Sequence, residues 1–199
     1  MYKLYNIPFQ SIMDFLEEDI IIITAPPQYT PRKNNIIGDI IKNAGVLHEL
    51  IRRYPTILIE SPENLFHLSN FFNDEPTTTI PWVYQHNGNM SHKFIAYYNI
   101  LPDVNKTPAY SWEINLDAIT KTNGEKTTNP LYRNIPLELA DNIIKTISKD
   151  YVICDPFLKD GTVGVASLNN NHEFIGMETD KTYFDKAEHR LDIANEKII

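Results

Sequence analysis

The chain has 199 residues, 42% of them hydrophobic and 22% charged, which suits one ordinary globular domain with a substantial core. No apolar run reaches the length of a membrane span, and the opening MYKLYNIPFQ lacks a signal peptide's apolar segment, so no membrane contact and a cytoplasmic setting are expected. The net charge of −8 argues against a uniformly basic nucleic-acid binder, and the single cysteine, Cys154, excludes an internal disulfide. The only adjacent basic pairs, Arg32-Lys33 and Arg52-Arg53, read as solvated loop and helix-end charge.

In chain order, the acidic set Asp14, Glu17, Glu18 and Asp19 reads as a solvated helix face, with docking of a basic partner as the lesser alternative. Asp19 to Thr24 (DIIIIT) is a continuous apolar run stopped by Pro26-Pro27, the pattern of a buried strand entering a loop. Ile36, Ile37, Ile40, Ile41, Ala44, Leu47 and Ile51 recur at helical spacing, and Pro55 must follow that helix. Thr56 to Glu60 (TILIE) reads as a strand, and Glu63 to Phe72 as a short helix with Pro62 at its start. Thr79 to Gln85 and His92 to Asn99 are β-rich, and Asn87-Gly88 between them predicts a hairpin. Residues 101–130 are polar, interrupted by prolines and aperiodic, and read as a loop or insertion. Leu137, Ala140, Ile143, Ile144 and Ile147 mark a helix face, Tyr151 to Cys154 and Phe174 to Met177 are strands, and Tyr183, Phe184, Ala187, Leu191 and Ala194 mark a closing helix. Strands alternating with helices predict a mostly parallel sheet covered on both faces. His67, His86 and His92 lie on different elements without ligand spacing, so no metal site is expected. Trp82, Tyr97, Tyr98 and Cys154 read as core or sheet-edge residues.

The segment DYVICDPFLKDGTVGVASLNNNHEFIGMETD, residues 150–180, is strand, glycine-containing turn, helix, strand and acid. In such a unit a ligand sits at the carboxyl ends of the strands. Gly161 and Gly164 allow close backbone approach, and Glu178 is placed to accept hydrogen bonds from ribose hydroxyls. Spacing alone leaves nucleoside binding open against any other strand–turn–helix unit.

This segment resembles the S-adenosylmethionine-binding motif of DNA amino-methyltransferases. The preceding RNIPLELADNIIKTIS resembles the helix that comes before that motif in the permuted, beta-class arrangement. DIIIITAPPQY, residues 19–29, resembles the strand and loop that hold the family's catalytic tetrapeptide, and TILIE, TIPWVYQ and HKFIAYY follow in the family's order. The resemblance implies an α/β, Rossmann-like S-adenosylmethionine-dependent methyltransferase fold. It also implies a single methyltransferase-like domain over residues 1–199, with 101–130 a loop or reduced target-recognition insertion. It assigns Asp155, Phe157, Gly161, Thr162 and Glu178 to the cofactor. It assigns the loop Thr24, Ala25, Pro26, Pro27, Gln28 and Tyr29 to catalysis.

Against the family's pattern, Ala25 stands where a polar side chain accepts hydrogen bonds from the target amino group. Gln28 stands where an aromatic stacks on the flipped base, with Tyr29 one step late. Thr24 can shift to offer its hydroxyl, and Tyr29 can stack if the loop bulges. Lys159 replaces a glycine ahead of Gly161; it either blocks the pocket or points outward. The expected function is therefore a degenerate DNA amino-methyltransferase homologue that acts by binding DNA, a protein partner or a second methyltransferase subunit, including a second copy of itself. The alternatives are an active enzyme that methylates the exocyclic amino group of adenine or cytosine, and an interaction module or DNA mimic.

Overall fold

The computed structural model describes residues 1–11, 13–16, 19–26, 36–86, 89–108, 111–115 and 135–196. Its strands are β1 Tyr2–Tyr5, β2 Ile20–Thr24, β3 Thr56–Glu60, β4 Thr78–His86, β5 Asn89–Tyr98, β6 Trp112–Asn115, β7 Val152–Asp155 and β8 Phe174–Met177. The helices are α1 Ile36–Arg53, α2 Pro62–Phe72, α3 Leu137–Lys145, α4 Thr162–Asn169 and α5 Lys181–Glu196. All eight strands form one sheet in the order β1-β8-β7-β2-β3-β5-β4-β6. From β1 to β3 every pairing is parallel; β5 runs antiparallel to both β3 and β4, and β6 is parallel to β4.

The continuous isoleucine run of β2 is explained by its central place, buried on both faces. Ile21 and Ile23 join Ile57, Ile59, Ile95 and Tyr97 beneath α3, α4 and α5, where Leu139, Ile143, Val163, Ala166 and Leu191 close the layer. Ile20 and Ile22 face the opposite layer with Leu58, Ala96 and Tyr98, under Leu47, Leu50 and Ile51 of α1 and Leu68 of α2. Helices thus cover both faces, as the alternating pattern predicts. Ser61 caps α2 by accepting the Asn64 N–H at 3.3 Å, with Pro62 in the first turn. Trp82, Tyr97, Tyr98 and Cys154 are buried core residues.

One strand went unanticipated and two expectations need correction. Tyr2–Tyr5 is a strand at the sheet edge, paired in parallel with β8 from Tyr2↔Phe174 to Tyr5↔Met177. Trp112–Asn115, inside the stretch read as a loop, is also a strand, added to the far edge beside β4. Of the acidic set, Asp14 sits in the short 3-10 turn Met13–Phe15 and pairs with Arg53 at 2.7 Å, and Asp19 immediately precedes β2, so neither lies on a helix face. Arg53 also reaches Glu49, so one of the basic pair is tied down on the surface. Glu17, Glu18, Arg32, Lys33, Asn87, Gly88 and residues 116–134 lie outside the described residues. The hairpin itself is present, with β4 and β5 in register from Thr78↔Tyr97 to His86↔Asn89. Among the described residues no helix is long and apolar enough to cross a membrane.

Candidate active site

Because β8, β7, β2 and β3 are parallel, their carboxyl ends share one edge, where open α/β sheets hold ligands. That edge collects Glu178, Asp155, Thr24 and Glu60. β7 runs one residue further than the apolar pattern suggests and ends on Asp155, which is 3% exposed. Asp155 Oδ1 accepts the Thr24 hydroxyl at 2.9 Å and the Phe157 N–H at 3.0 Å. Burial nevertheless pushes this carboxyl up to about 6, with those hydrogen bonds and the Lys159 charge pulling the other way. Thr24, the substitute acceptor for Ala25, is thus fully buried, with its hydroxyl proton given to Asp155.

The turn after β7 is organised around Lys159. Its backbone is left-handed, with φ of 50°, and its N–H donates to Glu178 Oε2 at 2.9 Å. Asp180 N–H donates to the other oxygen of that carboxylate at 2.9 Å. Of the two directions open to the Lys159 side chain, the structure has the inward one: Nζ donates to the Ala25 carbonyl at 3.1 Å. Burial draws the Lys159 pKa down, and the acids Asp155, Glu60, Asp160 and Glu178 oppose that fall. Behind the turn, Asp160 accepts the Thr162 hydroxyl at 2.9 Å, and Arg190 Nη1 donates to the Asp160 carbonyl and Oδ2, both at 2.7 Å. Thr162 therefore serves the start of α4.

Packing alone already calls for glycine at these positions. A Cβ on Gly161, where φ is +78°, would lie 2.7 Å from Leu191 Cδ1, and one on Gly164 would lie 2.6 Å from Phe174 Cε1. Both let α4 pack closely on α5 and β8. Gly176, which sequence reasoning passed over, is equally crowded, with a Cβ 2.8 Å from Leu158 Cδ1.

Two charged residues at this edge were not singled out from the sequence. Glu60 is 2% exposed and accepts from Ser61 N–H and Asn64 Nδ2, each at 2.9 Å. Burial raises its pKa. Lys93 is 7% exposed, its pKa is lowered by burial, and Glu60 offsets part of that fall. An inward lysine in the otherwise apolar face of HKFIAYY was the available signal. Pro27, Gln28 and Tyr29 lie outside the described residues, while Ala25 is half-buried and Pro26 buried.

The space bounded by Ala25, Ile135, Asp155, Phe157, Lys159, Thr162 and their neighbours is about 20 Å³. That is room for about one water, whereas sites for small organic ligands run to roughly 300–1,000 Å³.

Residues 60–189 match the N6/N4 methyltransferase family model, described as DNA methylase. The Type II methyltransferase M2.DpnII of Streptococcus pneumoniae is 29% identical over 135 residues, which are 65% of this chain and 47% of that protein. The match thus spans about half the length of that curated relative. Among solved structures, the M1.HpyAVI–SAM complex has a TM-score of 0.69 at 21% identity, covering 96% of this chain and all of the other. The cytosine-N4-specific PvuII DNA methyltransferase has a TM-score of 0.71 at 15% identity, covering 99% of this chain and 89% of the other. TTHA0409 from Thermus thermophilus, complexed with S-adenosyl-L-methionine, has a TM-score of 0.66 at 16% identity, covering 93% and 90%. These likenesses establish the Rossmann-like fold of S-adenosylmethionine-dependent methyltransferases.

Proposed function

The chain belongs to the DNA methylase family, and from that premise we propose that it is a degenerate member with weak or lost catalysis, acting by binding DNA or a protein partner. The observation that carries this reading is Ala25. A methyl side chain at the end of β2 accepts no hydrogen bond, and its carbonyl, the acceptor that survives substitution, already holds Lys159 Nζ at 3.1 Å. Amino-group methylation needs acceptors that hold the target nitrogen with its lone pair directed at the methyl group. Losing one positioned hydrogen bond of this kind costs on the order of 10²–10³ in rate. The partner class that fits best is a second methyltransferase subunit, another copy of this chain included, because the 101–130 segment is short for a target-reading insertion. On this reading residues 1–199 act as one methyltransferase-like domain.

The test is methyl transfer from labelled S-adenosylmethionine to duplex DNA by the purified chain. We expect turnover at least about 100-fold below the ordinary enzymatic range, roughly 1 per second and above. Turnover within that range would sink the proposal. It would support the second reading, an active amino-methyltransferase, which the placement of Asp155, Thr24 and Glu178 on one strand edge favours. On that second reading, Ala25→Asp combined with Gln28→Tyr changes the activity sharply.

A further inference from the structure

Lys159 combines four features that a solvent-facing lysine lacks. Its backbone is left-handed, φ 50°, the region that favours glycine. Its N–H and its Nζ bind different strand ends: the N–H goes to Glu178 after β8 and the Nζ to Ala25 after β2. The side chain therefore crosses the carboxyl end of β7, which lies between β8 and β2 in the sheet. The charges of Asp155, Glu60, Asp160 and Glu178 oppose the fall in its pKa that burial causes. The space left beside it is about 20 Å³.

We propose that Lys159 is a tethered occupant of the cofactor pocket, its ammonium standing where the positive centre of a cationic ligand would sit. The carbonyl of Ala25 and the buried carboxylate of Asp155 form a cation-binding edge, and the chain fills it from within. Removing the side chain leaves that edge open and its acids uncompensated, so the pocket then selects an adenosyl ligand bearing a sulfonium over one with a neutral sulfur. Opposite charge at short range in a partly desolvated site sets that preference. The inference rests on reading this edge as a methyltransferase pocket, and it is independent of whether catalysis is lost.

The experiment is calorimetric titration of the full chain and of Lys159→Gly with S-adenosylmethionine and with S-adenosylhomocysteine. Glycine suits the left-handed backbone, so the variant keeps the turn. We expect Lys159→Gly to bind S-adenosylmethionine at least about tenfold more tightly than the unchanged chain does, and to prefer it over the neutral thioether. Equal affinity of the two proteins for S-adenosylmethionine overturns the inference. A second measurement does not depend on the variant folding: acylation of the unchanged chain by an N-hydroxysuccinimide ester, read residue by residue by mass spectrometry. Lys159 is expected to react at least about tenfold more slowly than the exposed Lys145, and equal rates overturn the inference. An unchanged chain that binds S-adenosylmethionine as tightly as the variant yet transfers no methyl group removes the occupant and leaves the proposed function standing.

Discussion

Asp155 is the residue on which the site's electrostatics turn. Its carboxyl titrates at about 6 in the fold, against an ordinary 3.8. Between about pH 4 and about pH 6 the folded chain therefore holds a proton that the unfolded chain has released. The stability this contributes is complete below the lower value and lost as pH rises through the upper one. Asp155→Asn has no such proton to lose. The melting temperature of the unchanged chain minus that of Asp155→Asn should fall as pH rises across this window; a flat or rising difference would show that Asp155 is ionised throughout. Lys159 balances two opposing effects at the same scale. A left-handed non-glycine backbone costs roughly 1–2 kcal/mol, and a hydrogen bond from a charged donor returns roughly 1.5–3 kcal/mol. The inward conformation persists because its side chain finds Ala25.

At the scale of elements, the contact of α4 with β8 depends on a missing side chain. With a Gly164 Cβ 2.6 Å from a Phe174 ring carbon, the ring or the elements that hold it must shift once that carbon is added. Gly164→Ala should cost roughly 1–3 kcal/mol, the usual range for overpacking. Chemical denaturation measures it, and an unchanged midpoint would mean that the ring moves aside freely. The same contact marks what was legible in the sequence. β2, β3, α1, α3 and α5 were readable because each repeats apolar residues at its own period over many positions. β1 was not: YKLY is four residues of edge strand whose partner lies at Phe174–Met177. β6, the four residues WEIN, fell within a stretch dominated by polar residues and prolines. Two acids of the site were readable, Glu178 from its place after a strand and Asp155 from the family resemblance, whereas Glu60 was not singled out. The direction of Lys159 was not, since its acceptor belongs to a segment 134 positions away. Nor was the role of Gly161 and Gly164, because the residues they make room for, Leu191 and Phe174, come from later elements.

For the molecule as a whole, a net charge of −8 sets the terms of any contact with DNA. Non-specific affinity comes almost entirely from displaced counterions, and it falls steeply as salt rises from about 50 to about 200 mM. The chain alone is expected to bind duplex DNA weakly, with that binding abolished at the upper salt. Fluorescence anisotropy of a labelled duplex reads this directly, and tight binding that survives the salt would point instead to a basic groove built locally. The place of β1 reaches further, into how the protein is made. Residues 2–5 leave the ribosome well before the strand they lie against, which is synthesised some 170 residues later. β2 waits almost as long for β7, from Ile20 to Val152. During synthesis the isoleucine-rich β2 is therefore exposed without its neighbour on one side, a contact pattern that slows folding and invites aggregation. A nascent chain stalled before β7 would present that open strand to chaperones, and Tyr2–Tyr5 would have no place to dock.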